Sequence, residues 1–299
     1  MTFQSQAETF MSEIALRKSD PAKVNTLRVY RSIIDFRLLP AIGGLELQEV
    51  NNRTVKVLVG RLAEADLSPA TITLAVSLVK QVVKSAVDDE GNQLYPRTWN
   101  TRFIDAPKID KSAQRTPIAT SLALGGAVAA VRGEVGGLVA LLAGTGLRVG
   151  EALAMHKIDD GVSNYWDPAA GTIAVRATLV NGKLQDSTKT KAGTRIVDLD
   201  PALNSLLHSV FAIRDSKIFV SSERTLRRRI EELGLEGFHS MRRFRITHLQ
   251  AASVPATLVK FWAGHAAGDV SERYTKFGEQ IMVRKTWADK AGLGFDLHA

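Results

Sequence analysis

The side chains best suited to proton transfer, phosphate binding or nucleophilic attack are concentrated in residues 238–275. His239 and Arg242 are three positions apart, so on a helix they share a face. An imidazole beside a guanidinium suits a phosphate, because the planar fork of arginine matches the phosphate oxygens. His265 and Tyr274 follow, and a tyrosine near a bound phosphate could act as a nucleophile. The alternative is that the basic residues form a solvated helix face and that the tyrosine only packs.

A second group suited to phosphate chemistry lies in the run TGLRVGE at residues 145–151. Its glycines predict a tight turn, and Arg148 falls at the start of the helix that follows. Backbone N–H groups at a helix start and this guanidinium would then face the same anion. The run is not a Walker loop, because the required Gly-Lys-Ser/Thr is missing. The plain alternative is a surface Arg148 that pairs with a nearby acid such as Glu151.

Residues 171–199 depart from the helical pattern and predict a small three-stranded antiparallel sheet. Residues 172–179 alternate and are rich in β-branched side chains, an Asn-Gly pair predicts a hairpin turn, and residues 195–199 form the returning strand. The second turn carries Lys189 and Lys191. Lysines on a turn are commonly only solvated, but a lysine at such a tip could also reach a leaving group.

The first third of the chain predicts a small all-helical domain. Apolar side chains recur with helical spacing in residues 25–36 and 54–65, and Ser68-Pro69 predicts the capped start of a further helix. Residues 39–44 predict a turn. The predicted division is an N-terminal segment (1–24), a helical domain (25–106), a polar linker (107–114), a second domain (115–291) and a C-terminal tail (292–299).

The composition is that of a globular protein with an affinity for polyanions. Of 299 residues 45% are hydrophobic, and Lys and Arg total 39 against 31 Asp and Glu, for a net charge of +8. This excess favours nucleic acid first and an anionic membrane second. The absence of cysteine excludes disulfides and thiolate metal sites. The polar N-terminus lacks a secretory signal, and the longest apolar stretch, residues 135–147, is too short to span a bilayer, so we expect a cytoplasmic protein.

One ordered set of residues runs through the second half of the chain: Arg148 in TGLRVGE, Lys189 on the hairpin, His239 and Arg242, His265 after a glycine, and Tyr274. This set resembles the tyrosine recombinase (phage integrase) family of site-specific DNA recombinases, and the likeness covers roughly residues 25–291. The resemblance implies a mainly α fold with a small antiparallel β-sheet. In it, a helical core-binding (SAM-like) domain and a mixed α/β catalytic domain of the DNA breaking-rejoining type form a two-domain clamp around DNA.

The resemblance also implies roles for the matched residues. Arg148 and Arg242 would bind the non-bridging oxygens of the scissile phosphate, and His265 would bind the phosphate or orient the site. Tyr274 would be the nucleophile, and His239 would assist the transfer of its proton.

Lys189 would protonate the leaving 5′-oxygen, and Lys191 competes for this role because hairpin length varies in the family. Attack by the tyrosine would give a 3′-phosphotyrosyl link that keeps the energy of the ester, so rejoining would need no ATP, metal or other cofactor. The implied partners are double-stranded DNA, further copies of the chain in a tetramer, and accessory DNA-bending proteins; the implied location is the cytoplasm, at the nucleoid. Two alternatives stay open: a non-catalytic DNA-binding protein on the same fold, and a strand-relaxing topoisomerase that acts as a monomer.

Some positions depart from the commonest pattern of that family. Arg243 and Phe244 stand where His-Thr is usual, and Trp262 with the following alanine replaces the Leu before Gly-His. We expect Trp262 and His248 to be core residues. Residues 279–291 predict an amphipathic helix, which either docks on a neighbouring protomer, as the resemblance implies, or packs on its own domain.

Overall fold

A computed structural model of the protein describes residues 1–19, 21–110, 116–186, 194–212, 216–265 and 277–297. The chain divides into two compact units, Met1–Gln114 and Arg115–Ala299. In the described residues the first unit is helical, and the second combines helices with two small sheets. The predicted fold class, mainly α with a small β component, is therefore confirmed. Across the same residues, no helix is long and apolar enough to cross a lipid bilayer.

The first unit is a helical bundle around one apolar core. Its helices are α1 (Phe3–Leu16), α2 (Val24–Ile33), α3 (Leu39–Ile42), α4 (Asn52–Glu64), α5 (Pro69–Ser85) and α6 (Thr101–Ile104). The start of α5 is as predicted, because Ser68 Oγ accepts the N–H of Thr71 and Pro69 occupies the first turn.

The N-terminal segment forms a helix that contributes to this core. α1 buries Phe3, Phe10 and Ile14 in this core, and the helix packs against α2, α3 and α5. Residues 3–16 therefore belong to the helical unit, whereas the sequence predicted a separate N-terminal segment. The sequence signal was weak because polar residues alternate closely with the apolar ones in this helix.

The predicted turn at residues 39–44 is wrong in its first half. α2 continues through a π-helical turn, Ile34–Leu38, into α3, and the chain turns only after Ile42. The N–H of Leu39 donates to the carbonyl of Ile34, five residues earlier. Pro40 lacks an N–H and its ring crowds the carbonyl four residues before it, so a wider turn lets the helix continue past the proline.

The second unit is built around one buried helix. Its helices are α7 (Ser121–Ala130), α8 (Glu134–Thr145), α9 (Val149–Leu153), α10 (Pro201–Phe211), α11 (Glu223–Glu232), α12 (Gly237–Ala251), α13 (Ala256–Ala263) and α14 (Ile281–Ala291). Every residue of α8 from Val135 to Thr145 is buried, and the helix packs against α7, α10, α11 and α12. This central packing fixes the helix ends on which the polar site is built.

The β-structure differs from the predicted three-stranded antiparallel sheet. A mixed four-stranded sheet has the order β1 (Met155–His156), β2 (Asn164–Asp167), β3 (Thr172–Val175) and β6 (Arg195–Asp198), with β1 and β2 parallel and the other pairs antiparallel. A separate hairpin pairs β4 (Ala177–Val180) with β5 (Lys183–Asp186) through the predicted Asn-Gly turn.

The buried side chain of Asn164 explains why the predicted long strand is split. Its Oδ1 accepts the N–H groups of Arg176 and Ala177 at 2.6 and 2.8 Å, so these groups do not join the sheet ladder. Its Nδ2 donates to the carbonyls of Ala177 and Glu151 at 2.9 and 2.6 Å. One side chain thus ends β3, begins β4 and ties the hairpin to α9.

Candidate functional site

Arg148 stands at the start of α9, as the sequence predicted. Gly146 ends α8 in the left-handed conformation (φ 73°), and its N–H donates to the carbonyl of Leu142 at 2.9 Å. Leu147 then turns into the core, and Arg148 occupies the N-cap position of α9. The buried leucine fixes the direction of the turn, so the arginine side chain leaves it on the polar side.

The predicted pairing of Arg148 with Glu151 is also present. Nη1 of Arg148 donates to Oε1 of Glu151 at 2.8 Å, and its backbone N–H donates to Oε2 at 2.8 Å. The arginine side chain nevertheless stays 43% exposed, whereas the glutamate is 2% exposed. The carboxylate therefore holds one side of the guanidinium, and part of the group stays exposed to a ligand.

Arg195 is a buried partner of this pair that the sequence analysis missed. Its Nη2 donates to Oε2 of Glu151 at 2.9 Å and its Nη1 to Oε1 at 3.2 Å, with both side chains almost fully buried. Its Nε donates to the carbonyl of Trp262 at 2.8 Å. Burial would raise the pKa of Glu151, but the hydrogen bonds and charges of Arg195 and Arg148 outweigh burial and lower it. The signal in the sequence was an arginine at the first position of the returning strand.

Arg242 is buried on α12 and connects two helix ends. Nη1 donates to the carbonyl of Gly146, at the end of α8, and Nη2 donates to the carbonyl of Ala263 at 2.7 Å, at the end of α13. The negative ends of two helix dipoles therefore stabilise its charge. Burial, and then the nearby charge of Arg148, lower the pKa of Arg242 to about 10, so it stays protonated at neutral pH.

His265 follows the end of α13 and contacts Arg242. α13 ends at Gly264 in the left-handed conformation (φ 63°), and the N–H of His265 donates to the carbonyl of Lys260 at 3.0 Å. Nε2 of the exposed imidazole lies 3.0 Å from Nη2 of Arg242, while the carbonyl of Gly264 lies 3.4 Å from Nη2 of Arg148. The turn after α13 thus meets both arginines.

His239 lies in the first turn of α12, three residues before Arg242, and is exposed. Partial loss of hydration, and then the charges of Arg242, Arg243 and Arg148, lower the pKa of His239 below 6.5. At neutral pH the ring is therefore uncharged and can accept a proton.

The structure brings together four of the six residues predicted for the site: Arg148, His239, Arg242 and His265. In the described residues three guanidinium groups, counting Arg195, gather around the carboxylate of Glu151, which leaves an excess of positive charge beside two neutral imidazoles. Such a site fits the oxygens of a phosphate group.

Three predicted functional residues, Lys189, Lys191 and Tyr274, lie outside the described residues. β6 begins at Arg195, soon after the predicted lysine hairpin, and the described chain resumes at Phe277, three positions after the tyrosine. Their parts in the site stay predictions.

The residues expected in the core are there. His248 stacks on Phe244 with ring centroids 6.0 Å apart, and its Nε2 lies 2.8 Å from the carbonyl of Ala291. Trp262 is 3% exposed. α14 packs on its own unit through Arg284, Ala288 and Ala291, which are buried. Docking of this helix on a neighbouring protomer stays a prediction.

Further basic side chains lie on the surface of each unit. α11 exposes Arg224 and Arg229, together with Arg227, whose guanidinium covers the ring of Phe238 at 4.8 Å. In the first unit, the ammonium groups of two lysines cover aromatic rings: Lys56 over Phe103 at 4.9 Å and Lys80 over Trp99 at 5.8 Å.

Comparisons with known proteins identify the fold. Neither the protein-family models nor the curated protein sequences give a match. Among solved structures, the Tn1549 transposon integrase in complex with transposon right end DNA matches with a TM-score of 0.67 at 17% identity, over 89% of this chain and 92% of that chain. A lambda integrase tetramer bound to a Holliday junction matches with a TM-score of 0.62 at 15% identity, over 93% of this chain and 78% of that chain.

The XerH site-specific recombinase, bound to palindromic difH substrate in a post-cleavage complex, matches with a TM-score of 0.54 at 15% identity, over 94% of this chain and 93% of that chain. All three are tyrosine recombinases. At these identities the likeness is one of fold, and it extends over most of both units.

Proposed function

We propose that this protein is a site-specific DNA recombinase that cleaves and rejoins duplex DNA through a 3′-phosphotyrosine, with Tyr274 as the nucleophile. The observation that carries the proposal is the convergence of Arg148, Arg242, His239 and His265 on one polar site. Its support from outside the chain is the fold, which is shared with integrases and a recombinase in complex with DNA.

The two arginines would act on the charge of the reacting phosphate. In-line attack on a phosphodiester gathers negative charge on the equatorial oxygens. Arg148 offers the exposed edge of its guanidinium, and Arg242 offers a charge fixed between two helix ends. Because these groups are held before the substrate arrives, little reorganisation is needed during the reaction, and each positioned donor contributes about 10²–10³ in rate.

The tyrosine must lose a proton to attack, because a free phenol has a pKa of about 10. His239 is neutral at neutral pH and would take that proton, since its pKa is lowered by partial dehydration and by the arginines. The phenolic oxygen of Tyr274 would form a bond to phosphorus as the bond from phosphorus to the 5′-oxygen breaks. Lys189 or Lys191 would give the proton that the 5′-oxygen needs.

The product would be a 3′-phosphotyrosyl link and a free 5′-hydroxyl. The phosphate is an ester before and after the step, so a 5′-hydroxyl of another strand can reverse it without an external energy source. Recombination between two duplexes needs four such cleavages, which a tetramer would supply with one active site per strand. The proposed partners are double-stranded DNA, further copies of this chain and accessory DNA-bending proteins.

Covalent capture tests the proposal without knowledge of the target site. The full chain would be incubated with a pool of duplexes that carry a randomised core and a nick, so that cleavage releases a short strand and traps the protein on DNA. We expect a detergent-resistant adduct that Tyr274→Phe abolishes and that Tyr165→Phe, the same change on β2, leaves intact. The proposal fails if the wild-type chain gives no adduct or if Tyr274→Phe still gives it.

The DNA pool and a supercoiled plasmid together distinguish this function from the two alternatives, a non-catalytic DNA-binding protein and a topoisomerase. A non-catalytic DNA-binding protein would retain sequences from the pool without a covalent link. A monomeric topoisomerase would relax any supercoiled plasmid and would not enrich a core sequence.

A further inference from the structure

Both ends of residues 266–276 are connected to one buried carboxylate, that of Asp198 at the end of β6. Before this segment, the indole Nε1 of Trp262 on α13 donates to Oδ2 of Asp198 at 2.9 Å. After it, Nε of Arg284 on α14 donates to the same oxygen at 2.8 Å, and Nη2 donates to Oδ1 at 3.4 Å. The two charged side chains are 2% and 1% exposed.

Arg284 also holds the backbone where the described chain resumes. Its Nη1 donates to the carbonyl of Phe277 and, at 2.9 Å, to that of Gly278. The ring of Phe261 on α13 lies 6.0 Å from the ring of Phe277 and 5.9 Å from the guanidinium of Arg284. The residues that enter and leave the segment are thus packed against each other.

β6 connects this cluster to the phosphate-binding arginines. Trp262 is held twice by the strand, at its indole by Asp198 and at its carbonyl by Arg195. Arg195 in turn shares Glu151 with Arg148. A shift of the turn after α13 would therefore disturb the same hydrogen bonds that hold the arginine at the start of α9.

Stability alone gives a weak reason for such a cluster. Replacing a buried ion pair by apolar side chains is often neutral or stabilising, because the loss of hydration offsets much of the attraction between the charges. What the pair does provide is direction, since each of the two carboxylate oxygens and three guanidinium nitrogens has a partner at a fixed angle.

We propose that Asp198, Trp262 and Arg284 are positioning residues that fix the two ends of the segment carrying Tyr274, and so fix the tyrosine relative to Arg148 and Arg242. The inference rests on the proposed function for its catalytic purpose. Its structural part, the joint anchoring of residues 262–265 and 277–284 by Asp198, stands on the contacts of the described residues.

The chain contains a matched control for the indole hydrogen bond. Trp166 on β2 is 1% exposed, and its Nε1 donates to Oδ1 of Asn204 at 2.9 Å in the same unit. Trp262→Phe and Trp166→Phe each remove one buried indole N–H and leave one acceptor short of a donor. Asp198→Asn removes the charge of the carboxylate that both Trp262 and Arg284 contact. If Asp198→Asn does not fold, the milder variant Trp262→Phe still tests the proposal.

Amide hydrogen exchange of the full chain without DNA tests the anchoring. We expect Trp262→Phe and Asp198→Asn to speed exchange in peptides covering residues 277–284 by about tenfold, because each variant weakens the hydrogen bonding of the buried carboxylate that holds Arg284. Trp166→Phe should leave those peptides unchanged and affect only its own surroundings. Equal acceleration by both tryptophan variants would overturn the anchoring.

Single-turnover cleavage of the captured duplex tests the positioning. At a saturating DNA concentration, we expect Trp262→Phe to lower the rate of adduct formation by about 10–100-fold, since small misplacements of reacting groups have effects of this size. The Kd for DNA should stay within about twofold of wild type, because the phosphate contacts are not removed. Trp166→Phe should alter neither quantity.

A duplex with a 5′-bridging sulfur shows which group is displaced, because the departing sulfur needs no proton. The defect of Trp262→Phe should persist on this substrate if the tyrosine is misplaced. Recovery of the rate on this substrate would mean that the cluster acts through the lysine hairpin that precedes β6. A Kd for DNA that rises by the same factor as the rate falls would mean a general structural defect. Either result overturns the proposal. If the wild-type chain forms no adduct, the proposed function fails and the positioning of Tyr274 with it, while the exchange experiment still decides the anchoring.

Discussion

Nη2 of Arg242 lies 3.0 Å from Nε2 of His265, and because arginine can only donate, the imidazole must accept through Nε2. The ring is then neutral, with its proton on Nδ1. This agrees with the lowered pKa of His265, which partial dehydration and then the charges of Arg242 and Arg148 hold below 6.5. The structure therefore has both histidines of the site uncharged at neutral pH, and this state sets the pH range in which the proposed chemistry can run.

The rate of adduct formation should fall as the pH drops below 6.5, the ordinary pKa of histidine. A protonated His239 cannot take the tyrosine proton, and a protonated His265 would face Arg242 with a like charge. Folding lowers the pKa values of both histidines, so each histidine binds a proton more readily in the unfolded chain. Their contribution to the free energy of unfolding is therefore fully present above pH 6.5 and is lost as the pH falls through their pKa values in the folded protein. The measurement is the single-turnover rate against pH, taken where the protein stays folded.

His208→Gln provides the control for this profile, since His208 is exposed on α10. It should leave the acid side of the profile unchanged, whereas His239→Gln should lower the rate at every pH and flatten that side. An unchanged profile in His239→Gln would remove His239 from the proton transfer.

Arg242→Lys should lower the rate of adduct formation by about 10²–10³-fold. The planar guanidinium can donate to two carbonyls and a phosphate at the same time, whereas the ammonium of lysine cannot reach all three. Gly146, Ala263 and His265 would each lose a fixed contact. Arg229→Lys on the exposed face of α11 is the control and should change the rate less than about twofold. A loss as large in the control would mean that surface charge, and not geometry, governs the rate.

Glu151→Gln should lower the free energy of unfolding by about 3–5 kcal/mol, because it leaves the buried charge of Arg195 without its carboxylate. Glu223→Gln breaks an exposed pair with Arg227 and should cost about 0–1 kcal/mol. Urea unfolding at neutral pH measures both. Because folding lowers the pKa of Glu151, the stabilisation is present above pH 4.5 and is lost as the pH falls below it, so the gap between wild type and Glu151→Gln should narrow in acid. A gap that widens would show that the carboxylate is not the charged partner.

Gly264→Ala should destabilise the protein more than Gly234→Ala. Both glycines are in the left-handed region (φ 63° and 76°), where a side chain costs about 1–2 kcal/mol. A Cβ at Gly264 would also lie 2.7 Å from Nη1 of Arg195, whereas nothing lies within 4 Å of a Cβ at Gly234. Since Glu151 prevents Arg195 from moving away, we expect a further cost of about 1–3 kcal/mol at Gly264 in urea unfolding. Equal costs would mean that the turn after α13 does not pack on Arg195.

Local sequence signals predicted the parts of the site that local geometry builds. Gly146 permits the left-handed turn that ends α8, so Arg148 could be placed at the next helix start from sequence alone. The spacing of His239 and Arg242 fixed their common face in the same way.

The parts that sequence reasoning missed depend on residues far apart in the chain. Arg195 meets Glu151 across 44 positions, and Trp262 meets Asp198 across 64. Asn164 splits a strand that by its own alternation reads as continuous, because the competing acceptor comes from another strand. Periodicity describes which face a residue occupies, but it does not identify the partner on the facing element.

Peptide mass spectrometry of the captured adduct identifies the residue that attacks the DNA. After digestion with protease and nuclease, we expect a single modified peptide, in which Tyr274 carries a nucleotide through a 3′-phosphate. A nucleotide attached to any other residue, or attached through its 5′-phosphate, would rule out Tyr274 as the nucleophile of a 3′-phosphotyrosine.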